Sequence, residues 1–113
     1  MKVSLGGLLR SLPGPISEDW PSGEPFIEAF RHGSMSVEIF APRGRDAQTP
    51  HDQDELYFVV GGTAVLNIEG VHHEAASGDA FFVAAHQRHN FDKMSDDFVT
   101  WVVFWGPNGG ETE

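Results

Sequence analysis

TPHDQDELYFVVGG, residues 49–62, is the stretch on which the fold turns. Its second half, ELYFVV, is a short apolar and aromatic run that follows a cluster of charge and stops at Gly61 and Gly62. Runs of this length, rich in Val, Phe and Tyr and bounded by glycine, read as strands. The same pattern repeats outward in both directions: FIEAF, SMSVEIFA, TAVLNIEG, VHHEA, DAFFVA, HNF and FVTWVVFW. Gly33, 42–44, Gly70, Gly78 and 95–97 supply the turn residues between them. Strands at roughly 8–12-residue spacing predict an all-β sandwich or barrel, and no long helical period separates them as a parallel α/β fold would require. FVVGGTAVLNIEGVHHEA reads as two hairpins in series, turning at 61–62 and at 69–70. FVTWVVFW is apolar on both faces, so it belongs at the centre of a sheet, covered on each side.

Residues 1–25 differ from the rest. Leu5, Leu8, Leu9 and Leu12 recur at the spacing of one helix face, Ser4 stands at the N-cap position, and Pro13 ends the run. The expected organisation is a helix or arm over 1–25 and a barrel over 26–113, in a single domain, with Trp20 pinned against the body. The chain has no cysteine, which excludes disulfides, Cys zinc sites and thiol nucleophiles. A formal charge of −10 argues against nucleic acid and anionic membrane surfaces as partners. No apolar run approaches the ~20 residues of a membrane span. The N-terminal run is broken by Arg10 and lacks a cleavage signature, so the cytoplasm is the expected compartment. The apolar strand 98–105 and the leucine stripe hold more apolar surface than one small core consumes, which predicts a homodimer.

The chemistry-bearing residues gather in 49–62 and in HQRHNF, residues 86–91. In an extended segment Thr49, His51, Gln53, Glu55 and Tyr57 point one way, and Asp52 and Asp54 point the other way, to solvent or a loop. On a straight strand His51 and Glu55 stand about 13 Å apart, too far to share an ion unless the chain bends. Together with a histidine from another strand they would make a two-histidine, one-carboxylate set, which suits Fe(II), Mn, Ni, Co or Zn rather than Ca or Mg. Solvated histidines, or an acid–base pair without metal, are the alternatives. His72 and His73 are adjacent and face opposite sides of a strand.

The two segments together resemble a cupin, the small double-stranded β-helix or jelly-roll barrel, of the cupin-2 or RmlC-like type. The first cupin motif reads His-x-His, three or four residues, Glu, six residues, Gly; His51, Glu55 and Gly62 stand at that spacing. The second reads Gly, five residues, Pro-x-Gly, two residues, His; Gly78, Ala84-Ala85-His86 and His89 keep its register. The departures are Thr49 at the first histidine, Ala84 and His86 at the motif Pro and Gly, and Lys93 at the closing Asn.

The resemblance implies a divalent metal held by His51, Glu55 and His89. One ligand place is left to Gln48, Gln53, His86 or water, and Thr49→His is expected to tighten metal binding. Tyr57 and Gln53 would be pocket groups, with Trp101 and Trp105, or alternatively Phe104, on the barrel wall. The implied function is metal-dependent chemistry of the dioxygenase or isomerase type on a small molecule. The alternatives are a non-catalytic module that binds a small ligand or metal, and a metal-free barrel.

Overall fold

The computed structural model describes residues 1–112. One short helix, α1 (Leu5–Leu9), precedes eight strands: β1 (Phe26–His32), β2 (Met35–Phe40), β3 (Asp54–Gly61), β4 (Thr63–Ile68), β5 (Val71–Ala76), β6 (Ala80–Val83), β7 (His89–Asp92) and β8 (Val99–Trp105). They form a five-stranded sheet, β1-β2-β8-β3-β6, and a three-stranded sheet, β5-β4-β7, with every pair antiparallel. Each strand coincides with one of the apolar runs of the sequence. β8, apolar on both faces, lies between β2 and β3, where both faces are covered or flanked by neighbours.

The second of the two expected hairpins forms. Glu69 and Gly70 both have positive φ, as a tight primed turn requires, and β4 pairs with β5 across them. The first does not form: Gly61 and Gly62 carry the chain from one sheet to the other instead of returning it to its neighbour. Gly62 has φ +70°, and a Cβ there would stand 2.5 Å from the Phe98 backbone. The position needs glycine for both conformation and space.

Strand parity divides the side chains. Tyr57, Val59, Leu66, Phe91, Phe98 and Val102 fill the space between the sheets. On the outer face of the larger sheet, Ile39, Ala41 and Val99 meet Leu5, Leu8, Leu9 and Leu12 of the N-terminal segment. Ser4 occupies the N-cap with extended backbone, but its hydroxyl makes no capping bond. Trp20 packs edge-on against Phe26 and Phe40, pinned as its setting suggested. Trp101 and Trp105 lie on the outer face and Phe104 on the inner one, because β8 alternates Thr100, Val102 and Phe104 inward. Of the three aromatic candidates, Phe104 is therefore the barrel wall.

β1 carries a bulge at Ala29. Glu28 pairs with Glu38, but Phe30 pairs with Val37 and Arg31 with Ser36. The extra residue reverses the parity, so Glu28 and Arg31, three apart, both face the interior beside Ser36 and Glu38.

Candidate metal centre

β3 brings Glu55 and Tyr57 to the inner face, and β7 brings His89 opposite them. His51 precedes β3 in a loop, and the chain bends at 52–53. That bend removes the straight-strand separation. The loop is held by two backbone bonds, His86 N–H to the His51 carbonyl at 2.8 Å and Gly109 N–H to the Asp52 carbonyl at 2.6 Å. His86 itself sits at φ +68°, the left-handed conformation for which the motif normally supplies glycine.

His51, Glu55 and His89 each offer a ligand atom, and these atoms lie within 4.8 Å of one another. Two ligands each about 2.1 Å from one ion are at most about 4.2 Å apart, so a small side-chain movement closes the set. The Glu55 and His89 side chains are each 1% exposed, and His89 Nε2 is 2.7 Å from Glu55 Oε1. Even so, His89 Nε2 and Glu55 Oε2 have no hydrogen-bond partner of acceptable geometry. His89 Nδ1 lies 2.8 Å from the Gln87 carbonyl, which can only accept, so Nδ1 carries the proton. In the neutral ring Nε2 is then a bare lone pair facing a carboxylate. Nε2 and the Glu55 carboxylate can hold a metal cation in place of a shared proton, and the Nδ1–carbonyl bond is the outer contact that metal-bound histidines make.

The surroundings act on these groups in opposite senses. Burial disfavours the His89 cation, but Glu55, the Gln87 carbonyl and Asp46 outweigh it and raise the pKa. Burial lowers the pKa of His51, only partly offset by Glu55. Burial, then the Glu55 charge, pushes the Tyr57 hydroxyl well above the ordinary phenol range. The ring of His51 is 5.4 Å from that of His89 and packs edge-on against Phe104 at 4.8 Å.

Gln48 reaches the same place from the preceding loop. Its Oε1 is 3.2 Å from His51 Nε2 and accepts the Tyr57 hydroxyl at 3.2 Å. Its Nε2 donates to Asp46 Oδ2 at 2.6 Å. Thr49 is exposed on the cavity wall. Gln53 also borders the cavity, but its amide nitrogen donates to the carbonyls of Ser34 and Gly106, both at 2.9 Å. The His86 imidazole is exposed and 3.1 Å from Asp52 Oδ1. His72 is exposed, and His73 packs against Phe81 on β6, away from the centre.

Asp54 takes the loop side of the sequence expectation, not the solvent side. It faces away from Glu55 as parity requires, but it is buried rather than solvated, because it accepts the backbone N–H groups of Ala85 at 2.9 Å and Glu111 at 2.8 Å. Those two donors hold its carboxyl below the usual range.

A cavity of about 480 Å³ opens beside the centre. Its wall includes Glu55, Tyr57, Phe104 and Gln48, and on the far side Glu28, Arg31 and Glu38. Burial, with the charges of Glu55 and Glu28, pushes Glu38 up to about 7. Sequence reading missed Glu38, Asp46 and Arg31. A lone glutamate in SMSVEIFA was a signal for the first. Asp46 had no motif, and the bulge hid Arg31.

A family model described as a cupin domain matches residues 36–105, from β2 to the end of β8. This chain belongs to the cupin family. The cupin is 36% identical over 84 residues to an uncharacterized protein of Streptomyces coelicolor, an alignment spanning 73% of this chain and 80% of that one. Its fold is similar to a Cupin 2 conserved barrel domain protein from Salinispora arenicola, with TM-score 0.63, 17% identity, and 72% and 74% of the two chains covered. It is also similar to KdgF from a Halomonas species, with TM-score 0.63, 21% identity, and 74% and 80% covered. Among the described residues of this cupin, no helix is long and apolar enough to cross a membrane.

Proposed function

We propose that this cupin binds a divalent transition metal, of the Fe, Mn, Ni, Co or Zn class, through His51, Glu55 and His89, and uses it to transform a small molecule in the adjoining cavity. The observation that carries the reading is the pair of buried, unpartnered ligand atoms on Glu55 and His89. When bound, the metal would supply Lewis-acid polarisation of a substrate oxygen, or a binding place for dioxygen. The residues do the rest. Phe104 and the buried Tyr57 ring exclude water on one side, and Glu38 offers a carboxyl able to hold or release a proton near neutral pH. That proton-holding group favours catalysis of the isomerase or dioxygenase type over storage of a ligand. The test is metal analysis of protein purified from cells and reloaded with Fe(II), Mn(II) and Zn(II), followed by a small-substrate screen with and without O₂. Stoichiometric metal and a turnover that Glu38→Gln slows are expected. Absence of metal under all conditions would leave a metal-free barrel.

The same proposal includes residues 1–25 as an arm on a barrel of 26–113, a cytoplasmic location, and a homodimer. Phe58, Val60 and Phe82, 42%, 37% and 54% exposed, lie on the outer face of the larger sheet beyond the helix. A second copy of this face is the occupant that would bury them. Light scattering at tens of micromolar should give twice 12.4 kDa.

A further inference from the structure

The motif leaves its first histidine place to Thr49, an exposed residue. We propose that Gln48, one residue earlier, supplies the fourth protein ligand through its side-chain oxygen, and that Asp46 is the positioning residue that aims it. This inference rests on the metal reading above.

Geometry selects Gln48. Its Oε1 lies 3.2 Å from His51 Nε2 and 3.2 Å from the Tyr57 hydroxyl, and Gln48 lines the same cavity as His51, Glu55 and Tyr57. Gln53 has its amide nitrogen tied to two carbonyls at the rim, and His86 is turned out onto Asp52.

Chemistry fixes which end of the amide faces inward. Asp46 Oδ2 stands 2.6 Å from the Gln48 amide, and a carboxylate oxygen only accepts. The amide nitrogen must therefore face Asp46, and the oxygen must face the centre. Asp46 is 8% exposed and is itself held, with Oδ2 accepting the Phe91 N–H at 2.8 Å and Oδ1 accepting the Gln48 backbone N–H at 3.0 Å. One short loop thus fixes both ends of its own ligand. An amide oxygen has two lone pairs. Tyr57 occupies one, and the other faces His51, which gives up its Nε2 contact to Gln48 when the imidazole becomes a ligand. The completed set is two imidazoles, one carboxylate and one neutral amide oxygen.

The test is competitive chelator titration of Co(II) into chelator-stripped protein, read together with the visible absorption of the Co(II) form, which reports coordination number. Gln48→Leu should weaken Co(II) by about tenfold or more, since even outer-shell changes cost about 10–100-fold, and should change the absorption spectrum. Tyr57→Phe, which removes only a hydrogen bond to the same oxygen, should leave the spectrum unchanged. Thr49→His, at an exposed position that does not endanger the fold, should leave affinity unchanged, whereas the motif alone predicts tightening.

Parent affinity and spectrum in Gln48→Leu, with Co(II) lost in Glu55→Gln, would overturn the Gln48 assignment and leave the metal reading intact. A marked tightening in Thr49→His would overturn it as well, even if Gln48→Leu failed to fold. A parent protein that takes up no Co(II) would overturn both.

Discussion

Glu28 and Glu38 are direct cross-strand partners on the cavity face of β1 and β2. Like charges so placed repel, and water does not screen the inner one fully. Burial and the Glu55 charge act on Glu38 more strongly still, and together these effects shape how the protein responds to pH.

Glu38 rises from 4.5 to about 7, chiefly through burial. Its folded pKa lies above its unfolded value, so the folded state keeps a proton that the unfolded chain releases. The contribution is fully present below about pH 4.5 and is lost as pH rises through about 7. A shift of this size corresponds to at most roughly 3 kcal/mol. Glu38→Gln should therefore match the parent in urea melts of the metal-free protein near pH 5 and exceed it by about 2–3 kcal/mol near pH 8. Parallel curves across that window would show that Glu38 stays ionised.

His89→Ala should abolish metal retention, and it should also destabilise the protein by about 3 kcal/mol, because Glu55 is left buried without its neighbour. Glu55→Gln added to that variant should restore part of the stability and none of the metal. Elemental analysis and urea melts on both variants separate the two effects. A double variant no more stable than the single one would mean that Glu55 is already neutral in the fold.

Asp54→Asn should lower the melting temperature by several degrees without changing metal content. Its carboxylate bridges the turn before β7 and the C-terminal segment, on the side away from Glu55. Loss of metal in this variant would show that the turn at 85, rather than Glu55, sets the geometry of the centre.

Gly62→Ala should cost about 3 kcal/mol or more, or prevent folding. It imposes both a left-handed alanine and a Cβ 2.5 Å from the Phe98 backbone. A variant within 1 kcal/mol of the parent would require the 61–62 crossing to relax freely.

All eight strands were legible, because each is a short β-branched or aromatic run closed by a turn residue, and such runs suit half-buried strands. The turn at 69–70 was legible because it is local. The crossing at 61–62 was not, since a pair of glycines serves equally for a hairpin and for a change of sheet, and only packing against Phe98 decides. His51 and Glu55 were read on one face, but the bend that brings them together lies in a charged segment with no local signature of its own. Trp101 and Phe104 follow strict alternation, yet which of them faces inward depended on a register the sequence does not state. The reach of Gln48 depends on Asp46 meeting Phe91, 45 residues away, and was beyond local reading.

The bulge at Ala29 makes the cavity depend on counting rather than on chemistry alone. Arg31 is the one lysine or arginine among the described residues lining that cavity, and it faces inward because β1 has one residue more than its partner needs. Deleting Ala29 would leave a regular ladder with Arg31 still opposite Ser36 and still inward. Pairing the same residues without the bulge, Ala29 opposite Val37 and Phe30 opposite Ser36, would instead exchange the inward cation for Phe30, turning an acidic pocket with one positive anchor into an acidic pocket with none. A shift of one residue in the pairing of an edge strand thus changes the charge that faces the cavity without altering a single inward-facing residue of the other strands.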